Sequence, residues 1–181
     1  PTSTSTPAGW VTILEETFEG DFPGVWTVLD NQDGYGEYYW DKRDCRNYAG
    51  SYSGWAVGGG ADGGALACGS NYPEYARSWM VYGPFSLEGC TDAELRFRHW
   101  TKTELDFDQL RVMASINGVD FYGDQLSGDF TSDCGATGGW CLYNFDLTNV
   151  YTLGNLCGQS QVWIALGFES DANIAYEGSY I

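Results

Sequence analysis

Val162-Trp163-Ile164-Ala165-Leu166-Gly167-Phe168 is the stretch on which the fold turns. Val162, Ile164, Leu166 and Phe168 fall on every second residue, with Trp163, Ala165 and Gly167 between them. Successive side chains of a strand point to opposite faces, so a period of two means a strand with unlike faces. The stretch is far shorter than the ~20 apolar residues of a membrane-spanning helix. The same alternation sets Leu110, Val112, Ala114 and Ile116 against Arg111, Met113, Ser115 and Asn117. It also sets Leu95, Phe97 and His99 against Arg96, Arg98, Trp100 and Lys102. Further strands are expected at 10–18, 24–30, 37–43, 53–58, 77–87 and 140–147. Turns such as Asp33-Gly34 and Asn117-Gly118, among 25 glycines, punctuate them. Long helical periodicity is absent. Strand runs joined by long loops predict an all-β, two-sheet antiparallel sandwich of the jelly-roll kind, as one domain over 9–181.

The charge narrows the partners. The chain has 25 acidic and 8 basic residues, a formal charge of −17. Such a chain repels nucleic-acid backbones and anionic membrane surfaces, and suits either a cation-binding protein or one kept soluble by charge. No apolar run is long enough to insert into a membrane. Six cysteines with a single histidine and no C-x-x-C pair point to disulfides rather than zinc, and so to an extracellular, oxidising compartment. Cys45 and Cys68 bracket most of the Gly-rich segment 44–76, a long loop that such a bridge would staple. Cys134 and Cys141 can close a small local loop, which leaves Cys90 with Cys157, although other connectivities stay open. Residues 1–8, Pro-Thr-Ser-Thr-Ser-Thr-Pro-Ala, have the composition of an inter-domain linker. With no secretory leader visible, the chain reads as a module of a larger secreted or surface protein.

Three segments together resemble a family. Phe18-Glu19-Gly20-Asp21-Phe22-Pro23 with Trp26 looks like the opening of bacterial MAM-like jelly-roll domains. Asp30-Asn31-Gln32-Asp33-Gly34-Tyr35-Gly36 with Trp40 resembles the acidic Gly-rich loop of the cleaved-adhesin domains of gingipains. Arg77 to Leu87, Leu95 to Trp100 and Val112 to Phe121 are similar to the middle of choice-of-anchor J domains and of the accessory domains of immune-inhibitor-A proteases. The resemblance spans nearly all of 10–181. It implies a concanavalin/MAM-like sandwich, bacterial and extracellular, often with structural calcium and with no defined ligand. Members usually finish on a strand ending in two aspartates, so a metal ligand supplied there would lie past Ile181.

Three constellations can carry chemistry. Glu19, Asp30 and Asp33 are the candidate calcium ligands, since calcium takes carboxylate and carbonyl oxygens and a Gly-containing loop lets carbonyls turn inward. The plainer reading is that the aspartates cap their own turns. Glu104, Asp106 and Asp108 alternate along Thr103-Glu104-Leu105-Asp106-Phe107-Asp108, similar to the E-x-D-x-E active strand of jelly-roll β-glucanases. Against a glycoside hydrolase, residues two apart on a strand are ~7 Å apart, and a hairpin loop with Leu105 and Phe107 facing the core would leave all three acids hydrated. Trp100, Arg96 and Arg98, with Arg111 and Trp163, are the candidate ligand-binding set, an aromatic and basic face that a glycan could stack on. The competing reading is that Trp fills cores and rims. His99 falls in phase with Leu95 and Phe97 as a buried core residue.

These readings predict a non-catalytic extracellular adhesion or ligand-binding module, with carbohydrate among its candidate ligands and calcium as cofactor. Its partner would be a glycan or a protein on a surface. The alternatives are a purely structural accessory domain and a glycoside hydrolase using the Glu104/Asp106/Asp108 strand.

Overall fold

The computed structural model describes residues 9–32 and 34–181, so the linker at 1–8 and Asp33 lie outside the described residues. The strands are β1 (Thr27–Asp30), β2 (Tyr39–Arg43), β3 (Ser53–Gly59), β4 (Arg77–Phe85), β5 (Glu94–Lys102), β6 (Gln109–Ser115), β7 (Tyr122–Leu126), β8 (Cys141–Asp146), β9 (Val162–Glu169) and β10 (Gly178–Tyr180). Beside them stand one four-residue helix, α1 (Gly60–Gly63), and a short 3-10 turn at Gly135–Thr137. The first sheet runs β1-β4-β9-β6-β7 and the second β2-β3-β10-β5-β8, with every pairing antiparallel. Without the flanking β1 and β2, the remaining orders 4-9-6-7 and 3-10-5-8 are the two halves of a jelly roll, so the predicted fold class is the observed one.

Alternation decides which side chains meet between the sheets. Val162, Ile164, Leu166 and Phe168 of β9 lie beside Leu110, Val112 and Ala114 of β6, and each is at most 4% exposed. Trp40 and Phe145 close the core from the second sheet. Each large side chain so buried is worth about 1.5–3 kcal/mol of transfer free energy.

The second sheet is packed on its outer side as well. Trp55, Tyr180 and Trp100 are register neighbours across β3, β10 and β5. The Trp55 and Tyr180 rings stack 5.4 Å apart, nearly parallel, and Trp100 meets Tyr180 edge-on. The Arg43 guanidinium lies over Trp55 and donates to the carbonyls of Gly58 and Leu66. Arg46 lies over Trp100 and is held by both oxygens of Glu177. Segments 44–52 and 60–68 thus form a layer over this row, stapled by Cys45–Cys68. The other bridges are Cys90–Cys157 and Cys134–Cys141, so every pairing anticipated from the spacing forms.

Three expectations need correction. Residues 10–18 form no strand, and at their end Glu16 satisfies the backbone instead. Its carboxylate accepts the amides of Thr17 and Phe18 and the indole Nε1 of Trp26. Segment 44–76 is not one loop, since β3 runs through it as an inner strand of the second sheet. Strand β7, Tyr-Gly-Asp-Gln-Leu, carries little hydrophobic signal and escaped notice; as an edge strand it is half wet on both faces.

His99 is 2% exposed on the inner face, its Nδ1 3.0 Å from the Thr101 hydroxyl, among the rings of Phe97, Phe130 and Tyr143. Burial pushes its pKa down to about 4. The native state therefore holds the imidazole neutral where the unfolded chain, with a pKa near 6.5, binds a proton. That contribution is complete above about pH 6.5 and is lost as pH falls toward 4, by about 3 kcal/mol. Urea midpoints from pH 4 to 7 should show this slope, and His99→Gln should remove it. An unchanged slope in the variant would reject the assignment.

Candidate functional site

The register between β6 and β9 builds the site. Gln109 pairs with Glu169, so the residues just before β6 and just after β9 emerge side by side at one end of the first sheet. There the run 103–108 is a tight turn rather than a strand. The amides of Phe107 and Asp108 both donate to the Glu104 carbonyl, and Asp106 sits in the left-handed region at φ 69°. Ser127 clamps the turn from across, accepting the Asp106 amide with its hydroxyl 2.8 Å from the Asp108 carbonyl.

The turn inverts the expected burial. Leu105 and Phe107 are 63% and 61% exposed, not core-facing, and Asp108, expected to be hydrated, is 1% exposed. The strand spacing of ~7 Å does not apply either. Oxygens of Glu104, Asp108 and Asp171 lie within 4.8 Å of one another, while Asp106 stays outside and exposed. Tyr72 holds the group from below: its hydroxyl is 2.5 Å from Asp108 Oδ2 and accepts the Glu104 amide at 3.2 Å. The other Asp108 oxygen accepts the Asp171 amide at 2.7 Å, and Glu104 accepts the Ile174 amide at 3.3 Å.

The electrostatics follow from this packing. Burial raises the Asp108 carboxyl above its ordinary value, and the charge of Asp171 adds to the rise, against hydrogen bonds from Tyr72 and two amides. Burial and the bond to Asp108 likewise push the Tyr72 phenol far up. No basic side chain is among the groups acting on Asp108. Three carboxylates gathered with no ion pair among the described residues, two of them half-buried and one sealed, are a donor set suited to a hard divalent ion. Sequence reasoning missed Tyr72 and Asp171, which stand 36 and 63 residues from Asp108. Only the strand register brings them there.

Beside the turn opens a cleft of about 520 Å³, lined by Lys102, Leu105, Asp129, Phe130, Asp133 and Tyr176 among others. Lys102 spans it, 3.1 Å from Asp129 and over the Tyr176 ring.

The candidate calcium ligands do not form one group among the described residues. Glu19 accepts the amides of Ser51 and Tyr52 at 2.7 and 3.0 Å, which hold its carboxyl below the usual range. Gly50, at φ 75°, lets the chain pass where a Cβ would collide with that carboxylate. Asp30 accepts the amides of Gln32 and Tyr38, both at 2.9 Å. Both therefore act as turn-capping carboxylates, and Asp33 lies outside the described residues.

The candidate ligand-binding set is split between the sheets. Arg96, Arg98 and Trp100 share a face of β5, as the alternation predicted, but Trp100 is 6% exposed with the Arg46 guanidinium 3.8 Å from its ring centre. Arg98 is laid over Tyr48, and Arg96 stays exposed near Glu94. Trp100 is thus sealed against a sugar by a covering loop that the periodicity does not encode. Arg111 and Trp163 belong to the other sheet, where Arg111 pairs with Glu169 at 3.2 Å.

No family model matches the chain, and no curated protein matches it. Among solved structures, the fold is similar to the K1 cleaved adhesin domain of Lys-gingipain (Kgp) from Porphyromonas gingivalis W83, with a TM-score of 0.53. That likeness covers 91% of this chain and 94% of the other at 16% identity, and at that identity what the two are shown to share is the fold.

Proposed function

We propose that the protein is a non-catalytic, extracellular adhesion module whose ligand-facing loops are braced by calcium. The observation that carries this reading is the turn 103–108. It presents Leu105 and Phe107 to solvent, with Ile174 of the neighbouring turn 54% exposed, on a base pinned by hydrogen bonds around the buried Asp108. Large apolar side chains held out on a rigid base are the composition of a contact surface. The likeness to an adhesin domain supports the same reading, and three disulfides suit an oxidising, extracellular setting. Asp108, sealed at 1% exposure with both oxygens engaged, is a poor nucleophile or acid for a glycosidic bond, so the hydrolase reading is set aside.

Glu104, Asp108 and Asp171 would hold the calcium, neutralising carboxylate charge that no basic side chain balances at Asp108 and locking the two turns together. Calcium at a hundredfold over its Kd should stabilise the fold by about 2.7 kcal/mol. Thermal melts with calcium and then with excess chelator, beside elemental analysis, test this. Asp171→Asn should abolish the shift and Asp30→Asn should keep it. No shift together with no bound metal would remove calcium from the reading. A glycan is the ligand class favoured over a peptide, because the first sheet also carries an aromatic corner set in a mixed-sign polar strip.

A further inference from the structure

The geometry points to the outer face of the first sheet, around Trp79, as a binding platform for neutral sugar rings. This inference rests on the adhesion reading and adds to it the place and the class of ligand. Across this face Trp79 of β4, Gly167 of β9, Arg111 of β6 and Gln125 of β7 stand in one register row. Because β9 has a glycine there, the Trp79 indole reaches across the strand, 3.3 Å from where a Cβ on Gly167 would be. It meets Phe121 with centroids 5.6 Å apart and ring planes at 84°. The two rings thus make a corner, and Met113 beneath is 1% exposed while lying outside the inter-sheet core. An alanine at position 167 would press on both the indole and Met113 Cε, which would have to give by a few tenths of an ångström.

The corner is edged by groups of both signs. Arg111 donates through Nη1 to both oxygens of Glu169, at 3.2 and 3.3 Å, and Gln109 Nε2 donates to Glu169 at 3.2 Å. Arg111 Nε is buried without a partner, and among the described residues Nη1 alone of its guanidinium nitrogens is bonded. The Arg111 side chain is partly exposed and Gln125 is exposed, so the Nη2 donors and the Gln125 amide remain for a ligand on this row. A pyranose has an apolar C–H face that stacks on an indole, and edge hydroxyls that both donate and accept. A flat ring next to unused donors and a carboxylate acceptor matches that pattern. The charge decides the subclass. Arg111 is neutralised by Glu169, and the protein as a whole carries −17, so sialylated or sulfated sugars are repelled and neutral ones are not.

The test is a glycan array of neutral and sialylated oligosaccharides, followed by titration of the best neutral hit with backbone chemical-shift mapping on the unaltered protein. Neutral sugars should bind, with shifts centred on Trp79, Gly167 and Arg111, and chelator should leave the affinity within about twofold. Trp79→Ala should weaken binding at least tenfold. Arg111→Ala, which leaves the Trp79–Met113 packing in place, should weaken it about three- to tenfold and covers the case in which Trp79→Ala misfolds. Absence of any neutral hit, or shifts centred instead on 103–108 and the adjoining cleft, would overturn the platform. If surface adhesion is lost in Leu105→Ser/Phe107→Ser yet survives Arg111→Ala, the adhesion reading stands without this inference. If the unaltered protein adheres to no surface, the adhesion reading itself fails.

Discussion

Trp55→Ala is expected to destabilise the protein by about 4 kcal/mol, within the range for removing a fully buried Trp. Trp55 is 0% exposed, stacked on Tyr180 and covered by the Arg43 guanidinium, and its Nε1 donates to the Glu177 carbonyl at 2.9 Å. Truncation removes three kinds of interaction at once and leaves that carbonyl without its donor, which by itself costs about 1–3 kcal/mol. For a chain of this size the melting midpoint should fall by roughly 10 °C. Trp55→Phe, which keeps the stack and loses the hydrogen bond, should fall between the two. Equal losses for Phe and Ala, by calorimetry or urea titration, would show that the stack contributes little.

The second large effect is expected from Cys90→Ser/Cys157→Ser. This bridge closes a separation of 67 residues, against 23 for Cys45–Cys68 and 7 for Cys134–Cys141. In the chain-entropy model the losses are about 4, 3.5 and 2 kcal/mol respectively. The bridge anchors a backbone zipper in which the Leu87 amide donates to the Gln159 carbonyl and the Gly158 amide to the Leu87 carbonyl, each at 2.9 Å. Losing the bridge frees both sides of that zipper, so the ranking should hold in denaturant. A greater loss from Cys134→Ser/Cys141→Ser than from this pair would contradict it.

The strands were legible in the sequence where one face meets the core and the other meets something different. In β9 and β6 alternation identified the inward residues because the inter-sheet core selects bulk at every second position. The bridges were legible because Cys45 and Cys68 bracket a glycine-rich segment and Cys134 and Cys141 sit close together. The candidate site was less so. The sequence favours a hairpin loop at 103–108 over an active strand, and a turn forms there, but with Asp106 in the left-handed region it exchanges the expected inside for outside. Asp171 reaches Asp108 through the β6–β9 register and Tyr72 through the β4–β9 register, which no local pattern encodes. Trp100 failed as a ligand residue for a similar reason, since Arg46 covers it from a segment more than fifty residues upstream.

The position of β10 bears on how the molecule is made. Residues 178–180 lie between β3 and β5, and Ile181 exchanges backbone hydrogen bonds with Gly54. During synthesis or export, β3 and β5 emerge long before the strand that joins them. Until it arrives each offers an open edge, the kind of surface on which chains pair wrongly. The second sheet can be completed only when this strand arrives, as a keystone closes an arch, and the pairing joins residues distant along the chain, the kind of contact that forms slowly. A nascent chain arrested short of residue 178 is the species a chaperone would have to shield, and the one in which the thiols could still mispair.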